Sequence, residues 1–249
     1  MNNDLTGKRV TVTGAGAGIG AAVARAFATA GAHVTVADIN SEAAQRVADE
    51  IAGTPWVVDL SDTAALAELR LGCDVLVNNA GIQHVSPVEC FPPEKFRLIL
   101  ALMLEAPFLL IRAALPHMYA QGYGRILNVT SVHGLVASPF KSAYVAAKHG
   151  LEGLSKTVAL EAGGRGVTSV CLSPAYVRTA LVEGQIADQA RTHGISEHDV
   201  VEQVFLAETA VKRMVEPSAV AELAVFLAGP HGTMANGTTF TLDGGWTAH

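Results

Sequence analysis

Residues 8–20 read K-R-V-T-V-T-G-A-G-A-G-I-G, and the physics of that stretch decides the fold. A short β-branched run, 8–13, leads without a break into a glycine-rich loop, Gly14 to Gly20, and then into an alanine-rich segment with helical patterning that ends near Ala30. Glycines between a strand and a helix permit a tight turn and let backbone N–H groups at the helix N-terminus come close to a pyrophosphate. A glycine-rich loop alone is a weak signal. The strand before it, the helix after it and a second strand at 33–37 ending in Asp38 make it strong. Asp38 stands where a carboxylate accepts hydrogen bonds from adenosine ribose hydroxyls and repels a 2′-phosphate. None of Ala15, Ala37 and Ile39 offers a compensating positive charge, so NAD is expected rather than NADP.

Outward from this unit the alternation continues. A helix is expected at 41–51, a strand at 55–58, a helix at 62–69 and a strand at 73–77; such alternation predicts a parallel sheet with right-handed crossovers. The third strand runs out into Asp59 and Leu60, beside the expected adenine edge. The fourth runs out into Asn78-Asn79-Ala80-Gly81, at the carboxyl edge where open α/β sheets bind ligands. A long helix follows from about Pro93 to Gln121, then a strand at 125–130, a helix to about Ala162 and a strand at 167–172. Residues 178–210 are polar and weakly patterned, and read as mobile short helices forming a lid. A helix from about Pro217 to Ala228 and a strand at 238–242 close the chain. No repeat or linker interrupts it, so residues 1–249 are expected to form one α/β domain.

The chemistry is expected at 131–148, S-V-H-G-L-V-A-S-P-F-K-S-A-Y-V-A-A-K. Tyr144 and Lys148 are four apart in a helical run and share a face. An ammonium beside a phenol stabilises the phenolate and makes the tyrosine an acid/base. Ser131, at the end of the preceding strand, can add a hydroxyl to the same reacting oxygen.

Composition excludes several classes. The net charge of −6 and pI near 5.8 argue against nucleic acid or an anionic membrane as partner. Cys73, Cys90 and Cys171 are scattered, with no C-x-x-C and no leader-like start, which fits a cytoplasmic protein without a structural metal. The most apolar run, 99–111, contains Glu105 and Pro107 and is too short to span a bilayer, so a buried helix is expected there.

Thr13-Gly14-x-x-x-Gly18-x-Gly20, the Asn78-Asn79-Ala80-Gly81 block, Ser131 and Tyr144-x-x-x-Lys148 resemble, in order and spacing, the short-chain dehydrogenase/reductase family, over essentially the whole chain. The resemblance implies a Rossmann-type doubly wound sheet of about seven strands with NAD along its carboxyl edge. Thr13, Gly14, Gly18, Ile19, Gly20, Asp38, Asp59, Leu60, Asn79, Ala80, Gly81, Tyr144, Lys148, Pro174, Val177 and Thr179 are the implied cofactor contacts. Tyr144 would be the acid/base, Lys148 would lower its pKa and hold the nicotinamide ribose, and Ser131 would orient the substrate oxygen. The family also implies a homotetramer, for which the helices at 93–121 and 142–162 could supply faces.

A narrower likeness lies in Asn79 to His84, in Ser131 to Tyr144 and in Asp243-Gly244-Gly245-Trp246-Thr247-Ala248, which look like bacterial D-3-hydroxybutyrate dehydrogenases. That resemblance implies a carboxylate held by Gln83, His133, Lys141 and Gln185, with Ser131 and Tyr144 at the reacting carbon. The bottom-up reading agrees that Gln83, His133 and Lys141 stand near the reacting groups. A relative acting on another small hydroxy or keto acid, and a silent NAD-binding protein, are the competing expectations. Three positions depart from the family pattern: Met103 replaces an asparagine, Ala175 a glycine and Ser169 an asparagine. The asparagine frees a helix carbonyl for a proton relay in relatives. Pro107, lacking an N–H, is expected to free the carbonyl of Met103 by backbone chemistry, with a kink at 103–107.

Overall fold

In the computed structural model, which describes residues 4–248, the β-branched run becomes β1, Arg9–Thr13, with Val10 and Val12 fully buried. Such strands lie under helices on both faces, which is why they read as continuous apolar runs. β1 pairs in parallel with β2 (His33–Asp38) on one side and with β4 (Val75–Asn78) on the other. The full sheet is seven-stranded, in the order β3-β2-β1-β4-β5-β6-β7, with β3 at Thr54–Val57, β5 at Gly124–Val129, β6 at Val167–Pro174 and β7 at Thr239–Leu242. Expected strand limits shift by a residue or two, β6 running on to Pro174. The expected helix at 62–69 shrinks to α3, Thr63–Leu66, capped by the Asp62 carboxylate, which accepts from the Ala65 N–H.

Helices α1 (Gly18–Thr29), α2 (Ser41–Glu50) and α10 (Pro217–Ala228) cover one face, in one apolar cluster with the valines of β1, β2 and β4. The other face carries the long helix and α6 (Ser142–Ala162), packed on Leu76 and Ile126. Because the chain winds outward from β1 to β3 and then crosses back to β4, the carboxyl ends of β1 and β4 bound an open crevice.

The apolar run at 99–111 lies inside the long helix expected from about Pro93 to Gln121. Pro93–Gln121 is a continuous 29-residue helix with a window of mean hydropathy 2.1, long and apolar enough by composition to cross a bilayer. Here it is a layer helix, burying Ile99, Met103, Leu110, Ile111 and Met118. It divides into α4 (Pro93–Leu100), a π turn (Ala101–Glu105) and α5 (Ala106–Gln121), with the Ala106 N–H donating to Ala101 O. Pro107 sits just after that turn and has no N–H, so the departure from α geometry falls where proline chemistry places it, as a widened turn.

The expected lid is α7 (Ala180–Glu183), α8 (Ile186–His193), α9 (Glu197–Val200) and a second π turn (Val201–Phe205). It has a small apolar core of its own, in which Ala190, Val200 and Phe205 pack with Tyr176 and Trp246.

Two glycines test the fold. A Cβ on Gly20 would stand 2.2 Å from Gly14 O, a backbone atom that cannot move aside, whereas a Cβ on the exposed Gly153 of α6 would meet nothing within 4 Å. Gly20→Ala should destabilise by roughly 1–3 kcal/mol through overpacking. Gly153→Ala should stabilise by about 0.5–1 kcal/mol by relieving a helix-interior glycine. Denaturant unfolding of both variants measures the contrast; equal effects would contradict the packing described.

Candidate active site

The glycine loop and the carboxyl ends of β2 to β6 bound a cleft of about 470 Å³. Asp38, Ile39, Asp59 and Leu60 line one part of it, and Ser131, Tyr144, Lys148, Pro174, Val177 and Thr179 another, with Gly14, Gly18, Ile19, Asn79, Ala80 and Gly81 between. α1 opens at Ala17 with no side-chain cap, so its first N–H groups remain for an anion. Gly14 and Gly18 have φ of +60° and +54°, and a Cβ on Gly14 would lie 2.9 Å from Ala80 Cα. A bare helix N-terminus, a close-approach loop and a carboxylate at the end of β2 fit a dinucleotide.

Two residues expected at the cofactor, Thr13 and Gly20, do not line the cleft. Thr13 is buried behind the cleft wall, where its hydroxyl accepts the N–H groups of Asn79 (2.9 Å) and Ala80 (3.1 Å). Gly20 likewise packs against the loop backbone and does not face the cleft. Asn79 lines the cleft with its side chain tied back, Nδ2 donating to Thr13 O and Gly14 O. Asp38 accepts from the N–H groups of Gly16 (2.8 Å) and Asn40 (3.0 Å), which leaves lone pairs on both oxygens for hydroxyl donors. Asp59 organises its own turn, accepting from the Ser61 N–H and hydroxyl.

At the other end, Lys148 is buried and donates to Val129 O at 2.6 Å, its ammonium 5.6 Å from the centre of the Tyr144 ring. Burial lowers its pKa to about 8. The expected depression of the Tyr144 pKa is not realised. Burial raises it, and only a hydrogen bond from Ser131 pulls the other way. The physical reason is that the ammonium is committed to a backbone carbonyl while the phenol is desolvated. Met103 is buried in the cleft wall, and a Cβ on Gly81 would lie 3.3 Å from its Cε. Its side chain fills space at the end of β4.

Gln83, Ser131, His133, Lys141, Tyr144 and Gln185, the six residues singled out for substrate, line one cavity of about 60 Å³ together with Tyr176. Lys141 is buried, not an exposed lysine, and its pKa falls to about 8 through desolvation. His133 is also buried. Its Nδ1 lies 3.3 Å from Ser131 Oγ and its Nε2 2.8 Å from Ser138 Oγ, and desolvation with the nearby Lys141 charge lowers its pKa to about 3. His133 is therefore neutral, and Lys141 carries the positive charge of the cavity. Gln83 Oε1 is buried without a hydrogen-bond partner among the described residues, as expected of a polar group that serves a ligand.

Sequence reasoning missed three groups. Tyr176, whose hydroxyl accepts from Lys141 Nζ at 2.7 Å, stacks on Phe205 and Trp246; the only signal was its place beside Pro174. Arg46 brings a guanidinium within 3.2 Å of Gly16 O, a positive charge beside the loop that hides eight residues beyond Asp38. Glu152 lies buried one helical turn beyond Lys148.

A family model for short chain dehydrogenases matches residues 8–190. A D-beta-hydroxybutyrate dehydrogenase of Rhizobium meliloti is 45% identical over 255 residues, covering 97% of this chain and 99% of that protein. One from Cupriavidus necator is 40% identical over 256 residues, covering 98% and 99%. Among solved structures, a Beutenbergia cavernae protein described as an NAD(P) dependent gluconate 5-dehydrogenase, with NADP bound at low occupancy, superposes with a TM-score of 0.86 at 34% identity, covering 100% of each chain.

Removing the one hydrogen bond that opposes the rise in Tyr144 pKa should make the phenol a weaker acid. Ser131→Ala should therefore move the pH limb of alcohol oxidation upward. A pH–rate profile of kcat/KM measures it, and an unshifted limb would remove Ser131 from the phenol's environment.

Proposed function

The chain belongs to the short-chain dehydrogenase family, and within it we propose that this protein catalyses the NAD-dependent, reversible oxidation of (R)-3-hydroxybutyrate to acetoacetate. One observation supports the substrate above all others: the buried Lys141 ammonium shares a cavity of about 60 Å³ with Tyr144 and Ser131. A carboxylate on Lys141 and the Gln83 and Gln185 amides leaves room for only a short carbon chain before the hydroxyl reaches Tyr144. Charge-assisted hydrogen bonds are the strong kind, and a neutral alcohol would leave that ammonium unmatched.

In the oxidative direction the substrate hydroxyl donates its proton to the Tyr144 phenolate, while Ser131 holds the same oxygen. Bound NAD supplies the acceptor for the hydride that leaves the carbon. Lys148 offers positive charge to the phenolate as it forms or is consumed. In reduction the protons run back, from Tyr144 to the carbonyl oxygen. A carbonyl freed by Pro107 in the π turn beside the cleft gives the lysine a proton path to solvent. The Asp38 carboxylate favours ribose hydroxyls over a 2′-phosphate, and Arg46, already engaged with Gly16 O, compensates only weakly. The outer faces of the 93–121 helix and of α6 are the proposed faces of a homotetramer, and the cytoplasm its proposed location.

The test is reduction of NAD by a panel of hydroxy acids and uncharged secondary alcohols. The (R)-3-hydroxy acid should be preferred, and NAD should outperform NADP; equal rates on uncharged alcohols would overturn the carboxylate reading. Lys141→Met should lower kcat/KM for the acid by about ten- to a hundredfold, the equivalent of about 1.5–3 kcal/mol for one buried charge-assisted bond, with the KM for NAD unchanged. Tyr144→Phe should abolish turnover and leave cofactor binding intact.

The pH dependence of substrate binding has a definite sign. Lys141 is protonated below its pKa of about 8 and loses its charge as pH rises through that value. The KM for the acid should therefore be flat below pH 8 and climb above it, by up to about tenfold per unit in the limit where binding needs the charged form. A KM that stays flat to pH 9.5 would show that another group holds the carboxylate.

A further inference from the structure

Glu152 is a carboxylate in the wrong place for an ordinary surface acid. It is 4% exposed, sits four residues after Lys148 on α6, and shares the inward face of that helix with Lys148, itself 4% exposed. No salt bridge among the described residues includes it. Its oxygens are held by threonine hydroxyls instead: Thr130 Oγ1 donates to Oε1 at 2.7 Å and Thr239 Oγ1 to Oε2 at 2.5 Å. Burying a carboxylate without a cation in contact is expensive, typically several kcal/mol after relaxation, and two hydroxyl donors recover only part of that. An apolar residue would pack the same helix face at no such expense.

What the acid faces gives the reason. Lys148 Nζ is pinned on Val129 O, and Glu152 Oε1 on the side chain of the next residue, Thr130. Val129 and Thr130, consecutive residues at the end of β5, thus hold the two buried opposite charges of α6. Around Lys148 the remaining titratable groups supply no competing buried anion. On its own helix are Tyr144 and the exposed His149, and at the turn after β5 the neutral His133. Lys141, at the head of α6, is a second cation. From β6 comes the Cys171 thiol, whose pKa burial and Glu152 push far up, so it remains uncharged at working pH. The helix packed against α6 brings Glu94, Lys95, Arg97 and Glu105, all in solvent. Coulombic attraction weakens far less in a dry interior than at a surface, where water screens it.

We propose that Glu152 is a positioning residue for the proton inventory of the active site: its buried negative charge keeps Lys148 an ammonium beside Tyr144 across the working pH range. The direction of its effect agrees: desolvation lowers the Lys148 pKa to about 8, and the neighbouring Cys171 and then Glu152 pull it upward, the thiol being itself pushed far up and uncharged at working pH. The inference rests on the Tyr144–Lys148 acid/base reading. It concerns the pair as a unit, since two coupled groups lose their protons in steps that belong to both.

The test is the pH profile of kcat/KM for ketone reduction with saturating NADH, using whichever keto substrate the wild-type enzyme turns over best. Reduction needs the fully protonated pair, so the rate falls with rising pH as the pair loses its first proton. Glu152→Gln removes the charge and keeps the volume. It should move that fall to lower pH by at least about half a unit, an interaction expected at the effective dielectric of buried sites, with the KM for NADH unchanged. Glu152→Leu, which needs no hydrogen-bond partners, should do the same and serves if the glutamine variant does not fold. Glu152→Asp should return the limb towards wild type, and Thr239→Val, which loosens the packing but keeps the charge, should shift it less than half as far. A limb that stays put in folded Gln or Leu variants would overturn the proposal, and so would an equal shift in Thr239→Val. Tyr144→Phe, assayed alongside, separates the failures: turnover without the phenol would sink the acid/base reading, whereas an inactive Phe variant with an unmoved limb in Glu152→Gln sinks only this inference.

Discussion

The tie between the carboxyl ends of β1 and β4 is the constraint on which the rest of the molecule depends. Past the last paired residues the two strands expose backbone groups that the sheet no longer satisfies. Thr13 and Asn79 satisfy them from the side. Asn79 Nδ2 donates to Thr13 O at 2.8 Å and Gly14 O at 3.1 Å, and Thr13 Oγ1 accepts the N–H groups of Asn79 and Ala80. The result is a backbone approach so close that any side chain at Gly14 would strike Ala80 Cα. That approach fixes the floor of the crevice, aims the first turn of α1 at it and sets the distance to the β5 and β6 ends that carry Ser131 and Pro174. A glycine requirement and an asparagine requirement, 65 positions apart, are one requirement here.

Burial then sorts the site's cationic side chains by what each can contact. Burial lowers the pKa of Lys148 and of Lys141 to about 8, and each ammonium donates to an oxygen, Val129 O in one case and the Tyr176 hydroxyl in the other. His133, with two serine hydroxyls at its ring nitrogens and a lysine nearby, is discharged. Positive charge therefore persists at two places only in this inner region: next to the phenol, and in the cavity that would receive an anion. Histidine shapes the cavity, edge-on to Tyr144, Tyr176 and Trp246, and holds Ser131.

The sheet was legible in the sequence because strand–helix alternation, β-branched runs and glycine punctuation are local signals. The cluster around Tyr144 was legible because helical spacing places residues on faces. Partners are not local, and that is where the reading stopped. Spacing put Lys148 beside Tyr144 but could not show that its ammonium rests on Val129 O. Thr13 looked like a loop contact because it precedes Gly14, yet its buried hydroxyl serves β4. Tyr176, Arg46 and Glu152 escaped notice since each acts on a residue brought near only by the fold. Pro107 did announce a disturbed turn, but proline chemistry alone does not choose between a kink and the π turn that forms over Ala101–Glu105.

The same limit explains the substitution at Ser169, which in isolation reads as a loss of hydrogen-bonding capacity. In the fold it is the middle of a polar seam that crosses the sheet beneath the site. Asn78 Nδ2 donates to Asn128 Oδ1 at 2.9 Å, Asn128 Nδ2 approaches Ser169 Oγ at 3.3 Å, and Ser169 Oγ lies 2.9 Å from Ser155 Oγ on α6. A short side chain at 169 is what leaves room for the serine of α6 to close the chain. Each bond joins neighbouring elements, β4 to β5, β5 to β6 and β6 to α6, so sliding any of them strands a buried polar atom. An apolar seam would pack as well but would tolerate a slip. The strands so registered carry Asn79, Ser131 and Pro174, and the helix carries Tyr144 and Lys148, which ties the geometry of the reacting groups to a row of amides and hydroxyls that touches none of them.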